Sequence, residues 1–456
     1  MSDNENKEVV ENGVHNYSTE ESYVWPEDEK VKEKLEWFRD QKFALMMHWG
    51  PYSQIGVVES WALSDEDGDW SRTEIDWADG EEFKKQYFDL NKTFNPIRFV
   101  PKDWAKAAKE AGFKYFIFTT KHHDGFCMWD TAYTDYKITG KDCPFNTNKR
   151  ADILKHLFNE MRNEGIGITA YFSKADWHCP DYWCTGYEKG DKTWRGPSYD
   201  IEKHPEKWES FEKYTHNQVK ELADNYGPID AFWFDAGWVC EKEGEDIHLG
   251  NLMDEIRKSH PGVLSVDRTV GGKYENYVTP EQCVPDEPLN IPWESCITMG
   301  TSFSFKYEDK YKSDREIITL LTNIVAKGGN LALNVGPQPD GRIPEGALKA
   351  MKNIGKWLSK YGEAIYGTRV CAPYKKEDVC FTQKAKEKKV YAIKQYPDEN
   401  MEVKRDIFIP YEGKVAKVKD LYSGNEVRFE NVPGGLNVHV NEVEEAAIAQ
   451  VFELSL

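Results

Sequence analysis

The sequence predicts an α/β chain: a (β/α)8-like, TIM-type barrel followed by a C-terminal antiparallel β-sandwich. Three observations carry that expectation. Short apolar runs alternate with amphipathic helical stretches from Phe43 to Val335, the rhythm of a parallel sheet with crossover helices. Those runs are largely apolar rather than alternating, as strands covered on both faces are. Beyond about Tyr366 the texture changes to short alternating runs separated by Gly and Pro turns. A doubly wound sheet would share the rhythm, but no GxGxxG follows any of the runs.

The elements follow in order. Residues 1–29 form a polar tail with neither a basic start nor an apolar stretch, unlike a secretory leader. Residues 30–39 read as a helix built on Leu35, Trp37 and Phe38. Strands are expected at 43–48, 115–120, 166–172, 229–235, 263–268 and 330–335. Helices precede them at 102–111 (closed by Gly112), 150–163, 205–226, 252–259 and through the stretch carrying Ile317, Ile318, Leu321 and Val325. A last helix, 344–360, is expected to present Leu348, Met351, Gly355 and Leu358 to the core. The barrel domain then spans 30–365 and the β-sandwich 366–456. The sandwich takes its strands from runs at 390–395, 406–410, 415–421, 436–440 and 447–454.

Composition narrows the function. The chain has 456 residues, 59 Lys and Arg against 79 Asp and Glu, and a net charge of −20. That balance opposes a nucleic-acid or anionic-membrane partner, which needs local positive charge. No apolar run is long enough to span a bilayer. Aromatic residues make up 14% of the chain, with 16 Trp, 24 Tyr and 22 Phe. Flat rings of this kind stack on sugars, while indole and phenol groups bond hydroxyls. Nine cysteines, an odd number without a metal-type CxxC pair, fit reduced thiols and a cytoplasmic setting. A secreted form with its leader removed would read the same.

In such a barrel the functional side chains collect at the C-terminal ends of the strands. His48 ends the first run, His122 and His123 follow the second, and Tyr171 lies in the third with Asp176-Trp177-His178 beyond it. The fourth delivers Trp233 and Asp235, and the fifth ends in Asp267-Arg268. Asp235 sits among apolar, aromatic and glycine neighbours, so its carboxylate must be paired, neutral or catalytic. Adjacent histidines suit a metal, but consecutive strand residues point to opposite faces. No HxH or HxxxE spacing accompanies them, and no metal site is assigned.

The segments FALMMHWGPYS, FTTKHHDGFCMWDTAYTDY, YFSKADWH, AFWFDAGW, PWESCITMG and GGNLALNVGPQPDG resemble the retaining α-L-fucosidases of glycoside hydrolase family 29. The likeness runs from about Phe43 to Gly341. It implies a barrel followed by a β-sandwich, no metal or organic cofactor, and a fucosylated oligosaccharide or glycoconjugate as substrate. It implies Asp235 as nucleophile, with His48, Trp61, His122, His123, Tyr171, Trp233 and Arg268 binding the sugar. Where the family often has adjacent Glu-Trp, this chain has Glu59-Ser60-Trp61, which leaves Glu59 unassigned. The acid/base is not fixed by one motif. Glu294, beside a tryptophan able to raise its pKa, is preferred, with Glu281 as the alternative and Glu275 and Glu287 also available. Loops 64–73, 179–197 and 239–245 are expected to build the leaving-group side. The rival readings are a glycosidase for a related sugar such as an α-L-galactoside, a metal-dependent barrel hydrolase, and a non-catalytic fucose-binding protein.

Overall fold

In a computed structural model of the chain, the described residues are 17–73, 75, 80–184, 186–187, 194–444 and 446–456. The first sixteen residues of the expected tail lie outside them. Residues beyond these lie against the barrel: Tyr23 is buried and its hydroxyl donates to Asn276 O at 2.6 Å.

Seven strands form one parallel sheet: β1 (Phe43–Met47), β2 (Tyr115–Lys121), β3 (Gly167–Ser173), β4 (Ala231–Asp235), β5 (Leu264–Asp267), β6 (Glu294–Thr298) and β7 (Asn330–Asn334). Their order is β5-β4-β3-β2-β1-β7-β6. The sheet curls on itself, because Glu294 of β6 accepts hydrogen bonds from Tyr115 of β2 at 2.5 Å and Trp233 of β4 at 3.2 Å. An irregular segment fills the place between β5 and β6. Asn276 bonds Ser265, while Val278 and Glu281 bridge to Trp293 and Cys296. This segment stands where an eighth strand would close the ring.

Although the strands read as continuous apolar runs, their residues sort onto two faces with a period of two. Ala44, Met46, Tyr115, Ile117, Tyr171, Ala231, Trp233, Leu264, Val266, Cys296 and Ala332 pack together inside the barrel. Leu45, Met47, Phe116, Phe118, Phe172, Phe232, Phe234, Leu331 and Leu333 pack outward in the helix-facing core. β6 escapes the sequence reading because ESCIT is half polar: Glu294, Ser295 and Thr298 are buried but do not mark an apolar run.

The flanking helices are Glu29–Gln41, Pro101–Ala111, Ile153–Asn163, Pro205–Tyr226, Leu249–Ser259, Asp314–Ala326 and Glu345–Tyr361. Their ends are set by local chemistry. The Asp28 side chain accepts from the amides of Lys30 and Val31, Ser313 and Glu316 form a capping box, and Gly112 closes Pro101–Ala111 at φ 92°. One expected core residue is misplaced: Leu348 is 38% exposed. In the helix Glu345–Tyr361 the other expected residues, Met351, Gly355 and Leu358, are buried, together with Ala347, Ala350, Ile354, Trp357 and Tyr361.

Beyond the barrel lie a five-stranded sheet, order β12-β15-β10-β9-β8, and a three-stranded sheet, order β11-β14-β13. They comprise β8 (Arg369–Lys376), β9 (Val379–Lys384), β10 (Lys389–Gln395), β11 (Asp406–Ile409), β12 (Lys417–Asp420), β13 (Arg428–Val432), β14 (Gly435–His439) and β15 (Ala449–Ser455). All their pairings are antiparallel. Phe381, Val390, Val418, Phe452 and Leu454 of the larger sheet share one core with Ile407, Ile409, Leu436 and Val438 of the smaller, making a sandwich. The helix Asp314–Ala326 ties it to the barrel: Thr322 accepts from Gln395 Nε2 at 2.7 Å and Asn323 from Lys375 Nζ at 2.7 Å.

The helices Pro101–Ala111 and Glu345–Tyr361 approach closely at Gly355, where an added Cβ would stand 2.0 Å from Glu110 O. Gly355→Ala must therefore push the two backbones apart, at a cost of about 1–3 kcal/mol. A lowered urea midpoint is the expected result. An unchanged midpoint would show that the helices separate freely.

Candidate active site

The C-terminal rim of the sheet gathers one polar group from nearly every strand. Asp235 ends β4. Tyr171, on the same face of β3, donates its hydroxyl to Asp235 Oδ2 at 2.5 Å. Arg268, just past β5, donates from Nη1 to Asp235 Oδ1 at 3.2 Å and from Nη2 to Glu281 Oε2. Its guanidinium lies over the Trp233 ring, 4.8 Å from the centroid. One buried cation thus holds two carboxylates and rests on an aromatic face.

The histidines sit opposite. His123 Nε2 is 3.9 Å from Asp235 Oδ2. Its ring centroid is 4.1 Å from that of His122, so both imidazoles face the same pocket. The expectation that they diverge fails because β2 ends at Lys121, and the alternation rule stops with the strand. His122 stacks on Tyr171 at 5.7 Å and its Nδ1 is 2.5 Å from Ser60 Oγ. His48 Nδ1 lies 2.7 Å from Asn334 Oδ1.

Two tautomers follow from the partners. Asn334 donates through Nδ2 to Phe303 O, so its Oδ1 accepts, and His48 carries its proton on Nδ1. Ser173 Oγ donates to Ala175 O, so it accepts from His123 Nδ1, 2.7 Å away. His123 Nε2 is then an unprotonated acceptor, buried and without a protein partner among the described residues. Burial lowers both rings to about 4. They are neutral at pH 7, able to accept a hydrogen bond from a hydroxyl group and adding no positive charge beside Asp235.

Asp235 is the reverse case. Burial works against its charge, but Arg268, with His123 and the Tyr171 hydroxyl, outweighs it and brings the carboxyl down to about 2. Glu59 departs from its sequence reading. It is buried at φ 40°, its amide donates to Ser304 Oγ, and Oε1 has no partner among the described residues. Burial raises it to about 8, reinforced by the charges of Glu281 and Asp235 despite hydrogen bonding from Ser304. The inserted Ser60 supplies the contact to His122.

Glu294 is not brought to Asp235. It is the first residue of β6, level with Asn330 at the start of β7, whereas Asp235 is the last residue of β4. It is fully buried at the floor of the barrel, held by Tyr115 and Trp233. Burial raises it to about 7, although those two hydrogen bonds oppose the shift. The adjacent tryptophan that drew attention to it, Trp293, faces the helix-side core. Of the other acids, Glu275 accepts from Ser18 N and Glu287 from Tyr374 OH, so both serve local contacts. Trp61 stands against His123 at 4.8 Å.

Donor atoms of His122, His123 and Asp235 lie within 4.8 Å of one another, a group able to surround a metal. The Arg268 cation already occupies one side of Asp235, which makes a second positive charge there unfavourable. Lower in the rim, the buried pairs Lys121–Asp176 at 2.7 Å and Lys174–Asp267 at 2.5 Å anchor the strand ends. They account for two acids that the sequence had placed on the rim. Phe303, Ser304, Asn334 and Trp238 also line the site, and the sequence reading assigned none of them. Asn334 was within reach, standing in GGNLALNV at a strand end.

The α-L-fucosidase family profile matches residues 10–363. Human plasma α-L-fucosidase is 27% identical over 78% of this chain and 75% of that protein. The structure of α-L-fucosidase isoenzyme 1 from Paenibacillus thiaminolyticus has a TM-score of 0.76 and 31% identity, covering 94% of this chain and 99% of that one. A family 29 α-L-fucosidase from Bacteroides thetaiotaomicron, trapped as a covalent intermediate with 2-fluoro-fucosyl fluoride, has a TM-score of 0.74 and 25% identity over 95% and 97%.

With burial lowering both rings, 15N NMR at pH 7 should show His48 and His123 neutral and protonated on Nδ1, gaining a second proton only towards pH 4. Titration near the free-imidazole value of about 6.5 would mean that water reaches both rings.

Proposed function

The chain belongs to the α-L-fucosidase family, glycoside hydrolase family 29, and we propose that its rim pocket releases terminal α-linked L-fucose with Asp235 as nucleophile and Glu281 as acid/base. The supporting observation is the Arg268 fork, which carries Asp235 on one terminal nitrogen and Glu281 on the other. Retention needs two carboxyl groups about 5–5.5 Å apart with opposite duties. Glu294, the preference from sequence, lies at the barrel floor, away from where a leaving group arrives.

In the first step Asp235 attacks the anomeric carbon, the glycosidic bond breaks, and the proton of Glu281 passes to the leaving oxygen. In the second, Glu281 takes a proton from water, the water oxygen bonds the anomeric carbon, and Asp235 is released. Ionised Asp235 suits its role at any pH well above 2. His48, His122 and His123 accept from the sugar hydroxyls, and Tyr171 orients the nucleophile through its hydrogen bond. Trp233 supports Arg268 from below, and Glu294 fixes the Trp233 indole. Glu294 is thus a positioning residue.

A second reading makes Glu59 the proton donor. It is favoured by the raised pKa and the unpartnered Oε1. The substrate class is a fucosylated oligosaccharide or glycoconjugate. The cytoplasmic setting belongs to the same proposal, supported by nine free cysteines, seven of them buried. Titration of the denatured, unreduced protein should then count nine thiols.

Asp235→Asn should lower kcat on an aryl fucoside by at least 10³-fold, since the covalent step needs the carboxylate. Glu281→Ala should lose about 10²–10⁴-fold on poor leaving groups and recover with azide, giving fucosyl azide of retained configuration. Azide rescue of Glu59→Ala instead would move the acid/base role there. Glu294→Gln keeps an acceptor for Trp233, and its kcat/KM should stay within about tenfold, below the contribution of a general acid. A larger loss rescued by azide would reinstate Glu294.

A further inference from the structure

Asp67 is a carboxylate with 1% side-chain exposure that takes no part in the cluster around Asp235. It belongs to the loop after β1, and it binds two side chains that converge from different loops. Trp70 Nε1 donates to its Oδ1 at 3.0 Å. Arg195, from the loop after β3, donates to the same carboxylate through Nε at 3.0 Å and Nη2 at 2.5 Å. The Arg195 backbone is fixed as well. Its amide donates to Glu66 at 2.7 Å, and its carbonyl accepts from Trp177, Tyr182 and Trp238.

The guanidinium plane lies over two indoles, 5.1 Å from Trp61 and 5.8 Å from Trp238. Both of those rings touch His123, at 4.8 and 5.1 Å, and His123 faces Asp235. Arg195 and Trp70 therefore stand one layer outside the sugar-contacting ring. Trp70 packs on Trp61 at 5.9 Å. A buried hub that holds a 43% exposed arginine and a 48% exposed tryptophan beside a reaction site has no core to serve. Exposed flat surfaces rimming a pocket mark a binding site.

We propose that Trp70 and Arg195, latched by Asp67, form a shelf for the leaving group, on which the sugar ring next to the fucose stacks. This rests on the fucosidase reading of the pocket and names the class of its leaving group. The charge of Arg195 is balanced by Asp67 and flanked by Glu66, and Asp65 and Asp69 lie in the same loop. The shelf accordingly takes a neutral sugar and disfavours a sialylated or sulfated one.

The test compares kcat/KM for a neutral fucosyl disaccharide with that for fucosyl fluoride, whose leaving fluoride has no ring to stack. In Trp70→Ala and Arg195→Ala the disaccharide-to-fluoride ratio should fall about tenfold, equivalent to about 1.4 kcal/mol. Tyr307→Ala, which removes an exposed ring on the loop after β6, should leave the ratio unchanged. Trp70→Phe should restore most of it. An unchanged ratio in both shelf variants, or a fall only in Tyr307→Ala, would overturn the shelf while leaving the fucosidase reading intact. A wild-type protein that hydrolyses neither substrate would overturn both. Equal kcat/KM for the neutral disaccharide and its sialylated counterpart would remove the charge preference.

Discussion

The site depends on a buried cation. Arg268 is 4% exposed, and a guanidinium taken so far from water is tolerated only when its hydrogen bonds and charge are met. Asp235 and Glu281 take its two terminal nitrogens and balance its charge, the Trp233 face covers one side of the plane, and Nε alone has no partner among the described residues. A buried ion pair of this kind adds little to stability and is costly to break on one side. Its value lies in the reaction. In the proposed reaction it keeps Asp235 ionised while holding Glu281, the proposed acid/base, on the same guanidinium.

That requirement explains an oddity of the barrel. Between β5 and β6 the ladder gives way to a segment that bonds Ser265 on one side and Trp293 and Cys296 on the other. A regular strand there would alternate its side chains and pair evenly on both sides. The irregular chain instead turns at Gln282, with φ 53°, and delivers Glu281 beside Arg268. Closure of the sheet and placement of Glu281 on Arg268 are handled by the same segment, which the buried Tyr23 and the Ser18 amide brace from outside.

This is also where sequence reasoning reached its limit. Asp235, Tyr171 and Trp233 were legible because each sits on a regular strand, where a period of two and the C-terminal rim decide what a side chain faces, and His48 because it directly follows β1 at that rim. Glu281 lies on no such element, and its approach to Arg268 comes from tertiary pairing that no local pattern encodes. Glu294 drew attention through its tryptophan neighbour. Successive strand residues face opposite ways, so Trp293 packs outward while Glu294 points inward to Tyr115 and Trp233. The same argument covers Asp67. In sequence it is one acid among several in a charged loop, and only the fold puts Arg195 against it. Leu348 failed for a simpler reason: the eight buried residues of its helix already fill the face towards the core, and Leu348 falls outside it.

The aromatic excess then divides into two layers with different physical duties. Tyr115, Tyr171, Trp233 and Tyr277 fill the barrel interior. They exclude water beneath the carboxylates, so that Arg268 acts on Asp235 at short range in a medium that screens poorly. Trp61, Trp177 and Trp238 form the wall above, in contact with His123 and one another. Neutral imidazoles are the natural boundary between these layers. A protonated His123 at 3.9 Å would compete with Arg268 for Asp235 and oppose the positive charge that grows on the sugar ring. Burial by the aromatic wall keeps that ring neutral, so the wall that shapes the pocket also sets the charge state of the groups that line it.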